Sequence, residues 1–410
     1  MPAMNKTQQI DAGRLEALVN LTLPQVLAAQ AEYLGDRHVA IREKAYGIWQ
    51  RYTWKEYLSH VRHVSFALKA LGLKRNDIAA IIMDNHPEWL FSELGAQALG
   101  AVTLNLFTSA VASELIQALV RIRTPLVIAQ DQEQVDKLLD QKDKLPFVKT
   151  IVYVDPTGMG SYRDNTLLMS FRELLELGQR REREHPGLFE QELGKGRADE
   201  TALMIMTSGT TGEARLVEFD GAALCAQIRA SRDMGLETSE IVYPPAHGAI
   251  RHLVLLPLHH VFGLSACLLW YSFYGGQFVF PRELSPGGLL KLAKAARITH
   301  LFAVPRFFDR LAAAAGLVAR LGQPVTDARA ERELEVEPRG DRRRRSVRPR
   351  GDVGLQLVAA HGAHADVRDV RGDQAAAVRI DERHAGGRIP GAGLEAAPRR
   401  HSRSRLEDRA

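Results

Sequence analysis

From Thr53 to Leu311 the chain alternates short continuous apolar runs with segments whose apolar residues recur at helical spacing. Such runs lack the in-out alternation of a half-exposed strand, so they fit strands buried on both faces. Strands of that kind, separated by helices, require a parallel sheet covered by helices, and the fold class is therefore α/β. Thr53-Trp-Lys-Glu56 has the form of a capping box. Leu58, Val61, Val64, Ala67, Leu68 and Leu71 then share one helical face, with Gly72 as the stop. Strands are expected at Ile78–Met83, Ala101–Leu106, Leu126–Ala129 and Thr150–Val154, with a helix opening at Pro87 and ending near Gly100. The more polar stretch Asp155–Glu200 is expected to wrap the surface. Further on, a helix is expected over Gly221–Met234, strands at His252–Leu256, Gly276–Phe280 and Thr299–Ala303, and helices at Gly287–Ala296 and after Pro305.

One apolar run, Ala202-Leu-Met-Ile-Met206, feeds directly into Thr207-Ser-Gly-Thr-Thr-Gly212. Gly209 and Gly212 allow a tight turn and close backbone approach, so several amide N–H groups can converge on one anion. The hydroxyls of Thr207, Ser208, Thr210 and Thr211 add donors. The pattern is not a Walker loop, which needs Gly-x-x-x-x-Gly-Lys-Ser/Thr. On residue types alone, a plain Ser/Thr/Gly turn and a phosphate loop both fit.

Two cysteines, Cys225 and Cys267, provide no disulfide framework and suit a reducing cytosol. The N-terminus lacks the pattern of a secretory signal. Leu253–Phe280 is apolar enough to raise a membrane-spanning alternative. Its Pro257, His259, His260 and glycines favour a buried strand–helix–strand. The net charge is +5, but residues 321–410 hold 19 arginines against 15 carboxylates. The first 320 residues are thus close to neutral, and no specific nucleic-acid partner is expected.

Near residue 320 the composition changes. No aromatic residue follows Phe308, where the overall share of 7% would place about seven, and no lysine follows Lys294. Two readings fit residues 321–410. One is a poorly ordered basic tail. The other is a change of reading frame in GC-rich coding DNA. Val367–Asp373 can be encoded GTA CGG GAT GTC CGA GGT GAC, and the same bases read one nucleotide later spell YGMSEV.

The string Thr207–Gly212 resembles the phosphate loop of AMP-forming acyl-CoA synthetases and related adenylating ligases, most nearly the bacterial long-chain fatty-acid–CoA ligases. The resemblance covers about Leu23 to Leu311. It is carried also by Gly47–Tyr57, by Asn85-His-Pro-Glu-Trp89 with Ala98–Ala101, by Leu256-Pro-Leu-His-His-Val-Phe-Gly263 and by Ala303–Leu311. After Gly212 the family pattern continues Gly-x-Pro-Lys-Gly, but here Ala214, Arg215 and Leu216 take those last three places. Arg215 keeps the positive charge with a different reach.

The resemblance implies an incomplete N-terminal ligase domain over residues 1–320, with parallel-rich sheets between helices and no C-terminal ligase domain. It implies nucleotide binding by Thr207, Ser208, Gly209, Thr210, Thr211, Gly212 and Arg215. His260 and Gly263 fall on the segment near the acyl pocket; for His260 a structural role at a strand end stays open. ATP, Mg2+ and CoA are the implied cofactor and co-substrates, with a fatty acid as the acyl substrate. A cytoplasmic place with peripheral membrane contact is expected. The family's magnesium-binding glutamate, its ribose-holding Thr-Gly-Asp aspartate and its C-terminal lysine are not found, so no catalytic residue and no metal ligand is assigned. An impaired ligase is the expectation, with a catalytically silent ATP- or acyl-binding module as the alternative. An arginine-tail nucleic-acid binder is a third.

Overall fold

The computed structural model describes residues 12–45, 47–207, 215–233, 250–314 and 356–358. Two helices, α1 (Ala12–Leu18) and α2 (Leu23–Leu34), lead into a hairpin of β1 (Val39–Ala45) and β2 (Ile48–Thr53). The chain continues through α3 (Trp54–Ala70), β3 (Ile78–Ile82), α4 (Pro87–Ala98), β4 (Val102–Leu106), α5 (Ala112–Ile122), β5 (Leu126–Ala129), α6 (Gln132–Leu139), β6 (Thr150–Tyr153) and β7 (Leu168–Ser170). Then come α7 (Phe171–Glu184), α8 (Leu188–Gly194), β8 (Thr201–Thr207), β9 (Arg215–Asp220), α9 (Gly221–Asp233) and β10 (Arg251–Leu253). One helical run follows: α10 (Val261–Gly263), a π-helical segment Leu264–Leu269, and α11 (Trp270–Tyr274). β11 (Gln277–Phe280), α12 (Pro286–Ala296), β12 (His300–Phe302), α13 (Pro305–Ala314) and β13 (Gln356–Val358) complete the described elements.

The strands form two sheets. The larger has the order β7-β6-β5-β3-β4-β8-β9, all parallel except β9, which runs antiparallel to β8. The smaller has the order β13-β12-β10-β11-β1-β2, parallel except for the β1–β2 hairpin. The apolar alternation along each strand feeds two cores. In β3, Ile81 packs toward α3 and α4, whereas Ala80 and Ile82 pack toward α5 and α6. In the smaller sheet, Phe278 and Phe280 join the core with the Leu264–Tyr274 helix, and Leu253, Val279 and Leu301 pack beneath α12.

The expected capping box is present: Thr53 Oγ1 accepts from Glu56 N at 3.1 Å, and Glu56 Oε2 accepts from Thr53 N at 2.7 Å. Val61, Val64, Ala67 and Leu68 are buried on one face of α3. Asp155–Glu200, expected on the surface, is mostly exposed there and supplies β7, α7 and α8. Helix α7 lies directly against α3 because Gly178 has no side chain: a Cβ there would sit 1.9 Å from His63 O. At this seam Arg62 pairs with Glu182 at 3.3 Å, and His63 Nε2, its pKa lowered by burial, lies 3.0 Å from the same carboxylate. Arg62–Glu190 (2.7 Å) and Lys69–Glu192 (2.9 Å) tie α3 to α8. Beyond Ala314 the structure describes only residues 356–358. Gln356–Val358 adds a strand parallel to β12. Other residues beyond Ala314 lie outside the described residues.

Glu93 is wholly buried on α4, under β4. Its carboxylate accepts from Gln97 Nε2 (2.8 Å), Thr103 Oγ1 (2.9 Å) and Asn105 Nδ2 (3.1 Å). Burial nevertheless dominates those donors and raises its pKa to about 7 from an ordinary 4.5. Asn105 Oδ1 is buried without a partner, and a half-turn of that amide lets it accept the proton of a neutral Glu93. Between these two pKa values the folded carboxyl keeps a proton that the unfolded one releases, so rising pH favours unfolding. Stability should fall by on the order of 3 kcal/mol from pH 4.5 to 7 through this group. Urea midpoints across that range check it: Glu93→Gln should flatten the decline, and an unchanged slope would refute the assignment.

Candidate functional site

The strands of the larger sheet that run parallel end at one edge, the usual ligand-binding edge of an open α/β sheet. Thr207 closes β8 at this edge and pairs in register with Arg215, the first residue of β9. The hairpin therefore brings these two predicted phosphate residues together. Ser208, Gly209, Thr210, Thr211 and Gly212 join the strands and lie outside the described residues. Because Asn105 of β4 is aligned with Ile205 of β8, Phe107 falls opposite Thr207.

Polar side chains collect where β3, β4 and β5 end. Asp84 Oδ1 accepts from Thr108 Oγ1 at 2.9 Å, and Asp84 N donates to Gln130 Oε1 at 2.8 Å. Gln130 Nε2 donates to Asp131 Oδ2 at 3.1 Å, while Asp131 Oδ1 caps α6 through Gln134 N. His86, half-buried before α4, has its pKa drawn down to about 4, first by burial and then by the charge of Arg282. It is a neutral imidazole at physiological pH.

Asn85 joins this edge to the smaller sheet. Its amide donates to Leu256 O at 2.9 Å and to Val254 O at 3.4 Å, and its Oδ1 accepts from Leu258 N at 2.9 Å. The segment leaving β10 is thereby held against the end of β3. His259 adds a second tie, with Nδ1 donating to Met83 O at 3.3 Å and the ring lying edge-on to Phe107, centroids 4.7 Å apart. Burial lowers the His259 pKa and keeps it neutral.

His260 is exposed and caps α10, its Nδ1 accepting from Phe262 N at 3.2 Å. Nδ1 is therefore the unprotonated nitrogen of the neutral ring, and Nε2–H is left as an outward donor. Gly263 is fixed by packing. A Cβ there would fall 1.9 Å from Pro257 O and 2.6 Å from Pro257 C, so only glycine lets the helix fold back on the Leu256–Pro257 backbone. The π segment begins directly after it. Such wide turns recur at functional sites.

In the sequence both Asn85 and His259 stand only as parts of motifs, and neither is marked there as a site residue. The signal for Asn85 is an amide after a strand, an element with both donor and acceptor for an incoming backbone. The described residues hold no group of three or more His, Cys, Asp or Glu side chains placed to bind a metal ion. They offer no built site for the magnesium that the resemblance implies.

A family model described as AMP-binding enzyme matches residues 27–360, extending past the Leu311 limit of the motif-based resemblance. The long-chain-fatty-acid–CoA ligase heimdall of Drosophila melanogaster is 26% identical over 266 residues, covering 64% of this chain and 37% of its own length. The long-chain-fatty-acid–CoA ligase ACSBG2 of Xenopus laevis is 23% identical over 314 residues, 74% of this chain and 40% of its own. This chain thus spans about two fifths of the length of these curated relatives. Among solved structures, the inhibitor-bound N-terminal domain of FACL13 from Mycobacterium tuberculosis is 18% identical with a TM-score of 0.52, covering 71% of this chain and 65% of that one. The anthranilate CoA ligase AuaEII with anthranoyl-AMP is 17% identical with a TM-score of 0.57, covering 72% and 52%. At these identities the solved structures show a shared fold.

Removing the Asn85 amide leaves the carbonyls and the amide of the Val254–Leu258 segment unpaired. Asn85→Ala should cost about 1–3 kcal/mol and speed hydrogen exchange at the Leu258 amide. Exchange unchanged at Leu258 would show that the clamp does not hold this segment.

Proposed function

Because this chain belongs to the AMP-binding enzyme family, we propose that it descends from an enzyme that activates a fatty carboxylic acid with ATP and passes it to CoA. In the first step the carboxylate oxygen attacks the ATP α-phosphorus. An acyl–O–phosphorus bond forms and pyrophosphate leaves. In the second, the CoA thiolate attacks the acyl carbon, the acyl–oxygen bond breaks and AMP leaves. The long-chain names of the curated relatives support the acyl class.

The first step brings two anions together, so it needs amides and cations around the phosphates. We assign that work to the Thr207–Gly212 loop, with its backbone amides and four hydroxyls, and to Arg215 in the place of the family lysine. His260 would donate from Nε2 to an acyl oxygen, and Gly263 would keep its helix close enough for that reach. The observation that carries this reading is the register of Thr207 with Arg215. It sets both ends of the loop at the edge where β3 and β4 also end. No helix among the described residues is long and apolar enough to cross a membrane. We place the chain in the cytoplasm, with its acyl substrate reached by peripheral contact.

Neither Thr-Gly-Asp nor Tyr-Gly-x-Ser/Thr-Glu occurs in residues 1–410. That observation favours, as a second reading, a silent module that binds ATP or an acyl group without turnover. It also fits the change of frame near residue 320, since the missing Tyr-Gly motif can be spelled one nucleotide away. Groups that act in the transition state cannot be replaced by binding alone, and each lost charge stabiliser costs about 3 kcal/mol of barrier lowering.

The purified full chain, given ATP, magnesium, CoA and a long-chain fatty acid, should form negligible AMP, while a gene with the alternative frame restored near codon 320 should recover turnover. Robust AMP formation by the chain as written would overturn the impairment. Titration calorimetry with ATP separates the site from the chemistry: Gly209→Val should weaken binding at least tenfold by blocking backbone approach, and Arg215→Lys should tighten it. ATP affinity indifferent to Gly209→Val would remove the loop from the phosphate site.

A further inference from the structure

The smaller sheet ends on an open edge. Among the described residues, β2 pairs with β1 on one side and with no strand on the other. Such an edge carries outward N–H and C=O groups that a further strand can take up. β2 has no proline, so every residue keeps its N–H. Its side chains are little covered: Ile48 is 65% exposed, Gln50 and Arg51 are exposed, and Trp49, Tyr52 and Thr53 are half-buried. An exposed apolar residue on an unpaired edge is a point of association.

The order of residues along β2 makes this edge complementary to itself. Two copies related by a two-fold axis meet antiparallel at their β2 edges. Side chains alternate between faces, so opposed residues must both be even or both be odd for the faces to match. An axis at Gln50 sets Ile48 opposite Tyr52 of the second copy, an aliphatic–aromatic pair on the face where Tyr52 packs against the core. On the other face it sets Trp49 opposite Arg51 of the second copy, a cation beside an indole. Gln50 meets Gln50, and each amide can both donate and accept. Neighbouring registers match less well. An axis at Arg51 opposes two arginines, and one at Trp49 sets Ile48 against Gln50 and Arg51 against Gly47. In β9, the other six-residue edge, an axis at mid-strand sets Leu216 against Glu218 or Glu218 against itself. We propose that the β2 edge is a dimerisation surface, joining two copies of this chain through an antiparallel β2–β2 pair centred on Gln50. The proposal is independent of the acyl-activation reading, because association is read without ATP, CoA or fatty acid.

Within each hairpin Arg42 stands opposite Arg51, with its Cζ 4.1 Å from the centroid of the Trp49 ring. The join brings two such arginine pairs together across a short interface. The dimer should therefore be weak, and added salt should tighten it by screening the cations. Sedimentation velocity of the full chain at up to about 100 μM should show a reversible dimer with that salt response. Opposed residues of an antiparallel pair have Cα atoms about 4.5–5.5 Å apart, within disulfide reach. Gln50→Cys should therefore give a covalent dimer on mild oxidation. Ile48→Cys should not, because the two copies of Ile48 lie about 14 Å apart along the strands. Cys225 and Cys267 are buried, so the parent should not cross-link. Gln50→Lys and Gln50→Glu each put like charges on the axis and should weaken association about fivefold. Mixed in equal amounts, the two variants should associate at least as well as the parent. Gln50 is exposed, so both should melt as the parent does. A parent that stays monomeric at the highest concentration would overturn the proposal. So would cross-linking at Ile48→Cys as fast as at Gln50→Cys, or charge variants that associate unchanged. Association kept in Gln50→Lys but lost on changing Arg342 to Arg345 all to Gln would assign the contact to the arginine-rich tail and overturn it too.

Discussion

The side-chain amide of Asn85 ties the segment leaving β10 to the end of β3, with His259 as a second tie. Asn85 takes hold of three backbone groups of the segment leaving β10, and the placement of His259, His260 and Gly263 depends on where that segment lies. The His259 ring reaches Met83 and Phe107 only from this position, and His260 and Gly263 come within the next turn. A side chain that both donates and accepts can replace a strand partner where no strand is present. The smaller sheet is thereby registered against the larger one without a continuous ladder between them. Since each buried, unmade hydrogen bond costs free energy of the order of a folded protein's margin, the join is a narrow point through which much of the site geometry passes.

The large sheet illustrates how far pattern alone reaches. β3, β5 and β6 are fully or nearly buried apolar runs, and nothing but a covered parallel sheet accommodates them. The capping box at Thr53 is read directly from residue types because its chemistry is local. Elements less legible in the sequence are those whose apolar content is diluted. The β1–β2 hairpin dilutes its apolar residues with Arg42, Glu43, Lys44, Gln50 and Arg51, and α7 carries so many charges that its buried face reduces to Phe171, Leu174 and Gly178. Its contact with α3 rests on the absence of a side chain, which periodicity cannot register. β9 is hidden for another reason, since it lies behind a glycine loop whose residue types speak of a ligand rather than of strand pairing. Gln356–Val358 sits in sequence of altered composition, where an apolar triplet stands out little.

For the site, residue types left a plain turn and a phosphate loop both open after β8, and they marked His260 rather than its neighbour His259. Division of labour is not written in residue types. Of two neighbouring histidines, His259 is consumed by packing and a backbone carbonyl, while His260 keeps an outward Nε2–H. The difference arises from the direction of the chain after Asn85, a tertiary fact. Gly263 likewise belongs first to packing, whatever ligand lies near it.

The π segment Leu264–Leu269 has a further consequence. A wide turn holds one residue more than an α-turn of the same span, and that residue rotates the remainder of the helix by about 100°. Beyond it, Tyr271 stacks on His252 with centroids 3.9 Å apart and planes 10° from parallel, and Trp270 stands edge-on to Phe302 at 5.8 Å. Chain length at this helix is therefore negotiable by one residue. Losing one of Leu264–Leu269 can close the turn to an ordinary α-turn while the aromatic ridge stays over its sheet.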